Sequence, residues 1–489
     1  MRQRVSLVVA AIAFGLVATA NAGGYRFGIS DQAYYEPAIA KLIDPALFPH
    51  DAALLDVQSR FLGSVHLIAA ISRLTHIGLP ALFLAIYIVT MAGLFAAAVA
   101  LARRLGLSWW AVAGLLVLAT LRHRIAKTGA NSLEGYMHPR MLAFACGLAS
   151  CAALASLRPL RASLWTALAA VMHPTTGLWF GIVLVAGAAV ARPAWRRGLA
   201  LIVVVVVVAG VWLITSGPLT GRAITMDAEW LSVLTEKDYL FPTAWPAYAW
   251  LINLAYPVVI ALAYRARVRR GVVHPGERAL VAGVMALVAV FLVSVPLTSA
   301  RVAIVVQLQI NRIFWIADFV AAVYVAWWLI DVAGARARFG IVAVLAAIAI
   351  ARGGYVLRVE ANRQFAQATL PQTTWMDALA WLRAQPADWF VLADPGHAWK
   401  YGVSVRVGAH RDTLLESGKD SSMAMYDRNV ARRVKDRTVA LADFDRIDAS
   451  RARALAVRYH LDVLVDRRGL ALDLPVLYQN PDFAVYDLR

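Results

Sequence analysis

Five acidic residues lie within one short stretch near the start of the chain, residues 28–56: Asp31, Glu36, Asp44, Asp51 and Asp56. The stretch directly follows the first apolar segment, where a membrane protein would emerge on the far side. Acids at a membrane boundary are costly unless they are solvated or do chemistry. Asp31 is the leading candidate for a general base. Glu36, about one helical turn further on, could hold a metal or an acceptor. The alternative is a solvated loop whose acids only follow charge topology.

The composition indicates the class of protein. The 489 residues are 61% hydrophobic and 16% charged, with a mean hydropathy of +0.63, which is typical of a polytopic membrane protein. Residues 1–352 contain 29 Lys and Arg against 13 Asp and Glu, whereas residues 353–489 contain 19 against 17. The basic excess therefore belongs to the membrane part and gives no support to a nucleic-acid partner. Cys146 and Cys151, five apart in one apolar run, predict neither a disulfide nor a metal site.

Residues 1–22 fit two descriptions. Ala20-Asn21-Ala22 would serve as the cleavage site of a secretory signal, but the same residues also make an uncleaved first span of about nineteen residues. We favour the uncleaved span. Ten further apolar runs are predicted to be spans, which gives about eleven in all: 79–101, 108–121, 139–157, 162–173, 175–191, 198–216, 244–264, 278–296, 313–331 and 339–352.

The arginines orient these spans. Arg2 and Arg4 are followed, in alternate loops, by Arg103, Arg104, Arg158, Arg161, Arg192, Arg196, Arg197, Arg265, Arg267, Arg269, Arg270, Arg336 and Arg338. Positive charge marks the cytoplasmic side of short loops. The pattern predicts a cytoplasmic N-terminus, with the loops at 23–60 and 217–243 and the C-terminal tail on the exported side.

Some cations do not obey this rule. The segment 122–140, RHRIAKTGANSLEGYMHPR, ends in Arg140 and falls on the exported side, and Arg301 and Arg312 lie near the same face. A bound anion would explain them, because arginine matches phosphate oxygens with two parallel hydrogen bonds. The alternatives are misplaced span boundaries or arginines that reach lipid headgroups.

Polar residues recur at the same level, among them Glu134, His138, His173 and Gln309. Two His-Pro pairs lie at this level, His138-Pro139 and His173-Pro174, with each proline ending or opening a span, and the run 162–173 is too short to cross the membrane alone. A broken helix pair around His173 is therefore predicted, and irregular backbone at membrane depth is tolerated where it faces protein or a watery cavity. His173 could equally be a buried helix-capping residue.

Residues 353–489 have short apolar runs and balanced charge, which predict a soluble α/β domain after a membrane domain of residues 1–352. The periodicity predicts helices at 372–383, 423–433 and 450–460 and strands at 389–393, 403–407 and 461–466, followed by a hairpin of 475–478 and 483–488. Neither a G-x-G-x-x-G motif nor a phosphate-binding loop is present.

This arrangement resembles the GT-C superfamily of membrane glycosyltransferases, in particular poorly characterised bacterial branches. The resemblance rests on SDQAYYEPAIAKLIDPALFPHD in the first exported loop, MHPTTGL in a middle span and LPVLYQNPDFAVYDLR at the end. It implies an α-helical polytopic fold with an exported α/β domain in a bacterial inner membrane. It also implies hexosyl or pentosyl transfer from a polyprenyl-phosphate sugar to a glycan, lipid or protein acceptor on the periplasmic face.

The resemblance places the family's catalytic acid at Asp31, with Glu134 as the second candidate. Arg140, Arg301 and Arg312, with His138, His173 and Gln309, are then candidates for binding the phosphate. Ser30 and Gln32 flank Asp31, where other members have adjacent acids, so a divalent cation (Mg²⁺ or Mn²⁺) stays open. Two other functions also stay open: a carrier of lipid-linked glycans, although two matching halves are not evident, and a non-catalytic binding protein.

Overall fold

The computed structural model describes residues 2–468 and 472–489; the side chains of residues 2–4, which include Arg2 and Arg4, lie outside the description. The chain separates into two compact units. The helical unit comprises residues 1–25, 85–225 and 238–366, and the α/β unit comprises residues 26–84, 226–237 and 367–489. Residues 26–84 are therefore compact with the C-terminal residues. The predicted domain boundary at residue 352 stays a prediction.

Helices dominate the chain up to residue 366. In chain order they are α1 Arg2–Asn21, α2 Gln32–Ile43, α3 Ala52–Ser59, α4 Gly63–Thr75, α5 Leu79–Arg104, α6 Trp109–Thr120, α7 Pro139–Ala155, α8 Pro159–Met172, α9 Pro174–Ala191, α10 Arg196–Thr215, α11 Ala228–Ser232, α12 Ala247–Arg269, α13 Glu277–Ser299, α14 Ala303–Leu308, α15 Phe314–Ala326 and α16 Ala335–Tyr355. Four two-residue strands accompany them: β1 Tyr25–Arg26, β2 Arg124–Ile125, β3 Ala130–Asn131 and β4 Ala366–Gln367.

Within the described residues, seven helical segments are long and apolar enough to cross a membrane. They are Leu79–Arg104, Pro174–Ala191, Pro193–Thr215, Ala247–Arg269, Glu277–Ser299, Ala303–Asp331 and Ala335–Glu360. Helices α6, α7 and α8 are shorter, and so is Val5–Asn21, the apolar part of α1. None of the residues of α10 is buried, which suits a span that faces lipid over its whole circumference. The prediction of a polytopic membrane protein is confirmed at this level.

Glycines allow α9 and α13 to approach closely. A β-carbon on Gly283 of α13 would lie 2.3 Å from the carbonyl oxygen of Val183, and one on Gly187 of α9 would lie 2.6 Å from that of Ala279. Small residues serve this purpose between membrane helices, since backbones must come together for van der Waals packing and lipid supplies no hydrophobic driving force. The two helices therefore pack backbone against backbone.

The α/β unit is built on a five-stranded mixed sheet. After residue 366 its elements are α17 Thr374–Arg383, β5 Phe390–Ala393, α18 His397–Lys400, α19 Val405–Ala409, β6 Asp412–Thr413, α20 Lys419–Ala424, α21 Arg428–Ala440, α22 Ala449–Tyr459, β7 Val463–Arg467, β8 Val476–Gln479 and β9 Phe483–Asp487. The strand order is β6-β5-β7-β9-β8. Strand β5 is parallel to β6 and β7, and β9 is antiparallel to β7 and β8. Trp375 and Leu379 of α17 cover the apolar face of this sheet.

Two predicted elements of this unit were wrong. Residues 403–407 were expected to form a strand, but Val405–Ala409 is a helix whose first N–H groups are capped by Ser404. The predicted helix at 423–433 is two helices, because α20 ends at Ala424 and Asp427 then caps α21. A short apolar run is buried whether it forms a strand or a helical turn, so its periodicity does not distinguish the two.

Candidate active site

Asp31 lies at the start of α2 in the α/β unit. Its carboxylate oxygen Oδ1 accepts a hydrogen bond of 2.8 Å from Nζ of Lys419, and its side chain is 42% exposed. The side chain of Asp31 does not cap α2, so its carboxylate accepts no hydrogen bond from the first N–H groups of that helix. A carboxylate that is held by an ammonium group and still reached by solvent can contact a substrate.

Glu36 differs from Asp31 in its surroundings. It is buried within α2, and its Oε1 lies 2.9 Å from Nε2 of His410. Five residues along an α-helix rotate a side chain by about 140° from its starting direction. Asp31 and Glu36 therefore point in different directions from α2. Glu36 is better explained as a partner of His410 in the core.

A buried charge cluster ties residues 26–84 to the C-terminal part of the same unit. Nε of Arg406 donates to Asp51 at 2.7 Å, and its two terminal nitrogens donate to Asp420 at 2.6 and 3.0 Å. Asp412 accepts hydrogen bonds from the backbone N–H groups of His50 and Asp51. Removing one partner of such a buried ion pair typically costs about 3–5 kcal/mol, because the other charge is left unpaired.

Two aspartates of this cluster, Asp51 and Asp412, have pKa values that are shifted in opposite directions. Burial opposes the charge on Asp51, but the cations of Arg406 and Arg433 outweigh burial and lower its pKa. Burial and the neighbouring charge of Asp51 raise the pKa of Asp412. Asp51 was one of the five acids of the first exported segment, and the structure gives it a structural role.

A second segment from between the membrane helices, residues 226–237, belongs to the α/β unit. The indole N–H of Trp230 donates to the carbonyl oxygen of Ala424 at 2.8 Å. At the end of the segment, Nζ of Lys237 donates to the carbonyl oxygen of Gly418 at 3.2 Å. Lys237 is thereby placed next to Lys419, the partner of Asp31.

In the helical unit, the basic segment 122–140 contains its own counter-charge. Glu134 accepts a hydrogen bond of 3.1 Å from Arg140, both side chains are about 4% exposed, and Arg122 lies 4.0 Å from the second oxygen of Glu134. Part of the positive charge that seemed to need an external anion is thus neutralised internally. Glu134, engaged in this pair, is a weaker candidate for a base than Asp31.

His138 and His173 are both helix N-caps. Nδ1 of His138 accepts from the N–H of Arg140 at 3.1 Å, and Nδ1 of His173 accepts from that of Thr176 at 3.4 Å. In each case a proline occupies the first turn of the following helix, where its missing N–H costs nothing. The two rings lie 6.5 Å apart. The His-Pro pairs are therefore structural signals, and they confirm the predicted break at His173.

The remaining predicted residues lie between α13 and α15. Arg301 is exposed, and Arg301 and Gln309 both have left-handed backbone conformations at the ends of helices. The charges of Arg312 and Arg140 act on His173, so these three residues share one polar region of the helical unit. Arg301 is not among the groups that act on His173 most strongly.

An apolar cavity of about 470 Å³ lies within the helical unit. Its walls come mainly from apolar side chains, with Phe144, Trp315 and Phe319 among them, and its polar groups include His123 and Asp318. Nε2 of His123 lies 3.1 Å from an oxygen of Asp318. The volume is in the range of about 300–1,000 Å³ that is typical of small-molecule sites.

The predicted divalent cation was tested against the side chains present. Among the residues that the structure describes, His, Cys, Asp and Glu nowhere form a group of three suitable for a metal ion. The neighbour of Asp31 is the ammonium group of Lys419, a cation in its own right. The described side chains around Asp31 therefore do not fit a metal held by protein ligands alone.

These features define a polytopic membrane protein in which residues 26–84 form one α/β unit with residues 226–237 and 367–489. No protein-family model matches the sequence, and no curated protein matches it. Among solved structures, the chain is similar to the oligosaccharyltransferase AglB from Archaeoglobus fulgidus in complex with an inhibitory peptide and a dolichol-phosphate. The TM-score is 0.47 at 13% identity, covering 95% of this chain and 70% of that one.

A second similar structure is the Archaeoglobus fulgidus oligosaccharyltransferase in complex with Zn and sulfate. Its TM-score is 0.43 at 12% identity, covering 94% of this chain and 68% of that one.

Sequence reasoning missed Lys237, Lys419 and Arg406. Lysine is scarce in this chain, with only six in 489 residues. That scarcity was a usable signal, because a lysine in an arginine-rich protein is not needed for charge topology alone.

Proposed function

We propose that the protein is an integral membrane glycosyltransferase of a bacterial inner membrane. It transfers a hexosyl or pentosyl group from a polyprenyl-phosphate-linked donor to a glycan, lipid or protein acceptor on the periplasmic face. The observation that carries this proposal is the Asp31–Lys419 pair: a partly exposed carboxylate in the first exported segment, held by an ammonium group. The sequence resemblance places the catalytic acid of GT-C enzymes at the same residue.

The proposed reaction assigns the carboxylate a single task. Asp31 accepts the proton of the acceptor hydroxyl while the hydroxyl oxygen forms a bond to the anomeric carbon of the donor. The bond between that carbon and the phosphate oxygen breaks, and the polyprenyl phosphate leaves with the electron pair. A positioned general base typically contributes about 10²- to 10⁴-fold to such a step. No step of this proposal uses a metal ion.

The helical unit supplies features that suit a lipid-linked donor. The apolar cavity of about 470 Å³ offers a place for part of a polyprenyl chain. The polar region with Arg140, Arg312 and His173 offers cations for a phosphate. Because Arg140 is already paired with Glu134, Arg312 is the first phosphate-binding candidate within the helical unit, with His138, Gln309 and Arg301 in supporting positions.

The proposed topology has eleven crossing or half-crossing helices. The seven long segments are joined by the shorter helices α1, α6, α7 and α8, each of which coincides with a predicted span. The N-terminus is cytoplasmic and the C-terminal residues are periplasmic, as the positions of the arginines indicate.

The decisive experiment compares transfer of radiolabelled sugar from a polyprenyl-phosphate donor pool in membranes that contain wild type or Asp31→Asn protein. We expect the substitution to reduce transfer by about 100-fold or more, because it removes the base without changing the size of the side chain. Asp56→Asn is the matched control, since Asp56 is an exposed acid of the same segment.

Equal transfer by wild type and Asp31→Asn would contradict this mechanism. Transfer absent from both, together with movement of a labelled lipid-linked glycan across vesicles, would favour the carrier. The absence of both sugar transfer and lipid movement would favour a non-catalytic binding protein.

A further inference from the structure

Three side chains meet at the turn formed by Gly418 and Lys419, called here the Gly418 turn. Lys419 donates to Asp31 at 2.8 Å, and Lys237 donates to the carbonyl oxygen of Gly418 at 3.2 Å. The indole of Trp399 lies alongside, because a β-carbon on Gly418 would be 3.7 Å from its Nε1. Gly418 has φ +79°, a conformation that favours glycine. The turn therefore gathers two ammonium groups and an indole, and one of the ammonium groups is bonded to the candidate base.

The two lysines are held where their charges repel each other. The side chain of Lys419 is only 17% exposed, and Lys237 is half-buried. Burial and the charge of Lys419 lower the pKa of Lys237, while Glu236 and Asp31 act in the opposite direction. A bound anion would stabilise both ammonium groups, because opposite charge nearby favours the charged form.

Trp399 adds an apolar surface next to these cations. Its side chain is 77% exposed, although a large aromatic side chain gains free energy by burial. The flat face of an indole suits the C–H face of a sugar ring, and such exposed apolar groups commonly mark binding sites. Cations beside an exposed indole match a ligand that is a phosphate and a sugar at once.

A purely structural explanation accounts for only part of this arrangement. The bond from Lys237 to Gly418 anchors the segment 226–237, and the bond from Lys419 to Asp31 anchors α2. Anchoring would be served by a single cation or by neutral donors, and it would not require an exposed indole. Anchoring alone does not explain why two lysines are placed so close together.

We infer that the Gly418 turn binds the sugar-phosphate head group of the donor, with Lys237 and Lys419 on the phosphate and Trp399 against the sugar ring. The inference rests on the proposed function, since it names the residues that receive the donor of that reaction. Lysine at this point supplies the positive charge that the leaving phosphate needs in the transition state. Asp31 is then beside the anomeric carbon, as a base for the acceptor must be.

The test measures binding without turnover. Purified full-length protein in detergent is titrated with farnesyl phosphate and with farnesol, which has the same chain without the charge. We expect wild type to prefer farnesyl phosphate. Lys237→Met and Lys419→Met should each weaken farnesyl phosphate binding about tenfold and leave farnesol binding unchanged. Lys435→Met, a lysine of α21 away from the turn, is the control and should change neither.

Two further variants separate binding from folding. Lys419→Arg keeps the charge and should retain most of the affinity. Asp31→Asn removes a negative charge from the site, so it should tighten farnesyl phosphate binding while sugar transfer is lost. A merely structural role for the Asp31–Lys419 pair predicts the opposite, namely that both substitutions at the pair weaken binding.

The sugar subsite is measured with farnesyl phosphate esters of glucose and mannose. Trp399→Ala should reduce affinity for the preferred ester by about tenfold and leave farnesyl phosphate unchanged. Equal binding of farnesyl phosphate by wild type and both lysine-to-methionine variants would overturn the inference, and so would a wild type without preference for the phosphate. Phosphate binding that depends on the lysines, combined with absence of sugar transfer, would instead overturn the proposed function.

Discussion

Asp466 is a buried carboxylate that the fold does not fully satisfy. It lies at the end of β7, 7% exposed, and one of its oxygens has no hydrogen-bond partner among the described residues. Strand β5 is the parallel neighbour of β7, and its last residue, Ala393, is paired with Val465 of β7. Asp394 directly follows β5. Burial, followed by the charges of Asp394 and Asp445, raises the pKa of Asp466 to about 6. This residue therefore makes the stability of the α/β unit depend on pH.

The sign of that dependence follows from the raised pKa. The folded state binds the proton of Asp466 more tightly than the unfolded chain, so the contribution of Asp466 is fully favourable below about pH 4 and is lost as the pH rises through about 6. Asp466→Asn should raise the apparent melting temperature of the protein at pH 7.5. The corresponding gain in the free energy of unfolding is at most about 3 kcal/mol. At pH 4 the difference from wild type should vanish.

The measurement is thermal unfolding in detergent at both pH values. Asp473→Asn serves as the control, because Asp473 is an exposed acid of the same unit. A variant that is less stable than wild type at pH 7.5 would show that the carboxylate is stabilising and that its pKa is not raised.

Helix ends were the most predictable elements of this chain. The pairs His138-Pro139 and His173-Pro174 open helices, and the break between α8 and α9 falls at His173, where the short run and the proline placed it. The strand predicted at 403–407 failed for a different reason. One residue of that run, Arg406, is drawn inward by Asp51, which is distant in sequence, and by Asp420, which lies beyond the run. Local periodicity does not contain that information.

The contact between α9 and α13 gives a prediction at the scale of elements. Gly283→Ala should destabilise the protein by about 1–3 kcal/mol, because the added methyl group would overlap the carbonyl of Val183 and force the helices apart. Gly210→Ala is the matched control, since Gly210 is also inside a membrane helix but a β-carbon there meets nothing within 4 Å. The control should be neutral or slightly stabilising.

Apparent melting temperatures in one detergent measure both variants. Equal effects of the two substitutions would mean that α9 and α13 are not packed through their glycines.

Orientation across the membrane is a property of the whole molecule. The arginine pattern predicts that the C-terminal part is periplasmic and that the loop before α10 is cytoplasmic. The native cysteines, Cys146 and Cys151, are buried and provide a low background for labelling. In spheroplasts, a membrane-impermeant maleimide should label an Arg432→Cys variant, and an Arg197→Cys variant should react only after lysis.

Both substituted positions are exposed in the structure, so access is decided by the membrane rather than by folding. The reverse labelling pattern would invert the topology and remove Asp31 from the periplasmic face.

The sequence by itself determined the class of the protein. Apolar runs of span length, arginines in alternate loops and the change in composition near residue 353 are local properties, and each follows from the free energy of transfer into lipid. The sequence also singled out Asp31, because an acid at the first membrane exit has a cost that needs a reason.

Only the tertiary structure decided which charges meet. Glu134 proved to be the counter-charge of Arg140, Glu36 a core partner of His410, and Lys419 the partner of Asp31 from 388 residues away. Ion pairs depend on distance in space, and neither composition nor periodicity records how a chain returns to its beginning. The joining of residues 26–84 with residues 367–489 in one compact unit was therefore beyond any reading of the sequence in order.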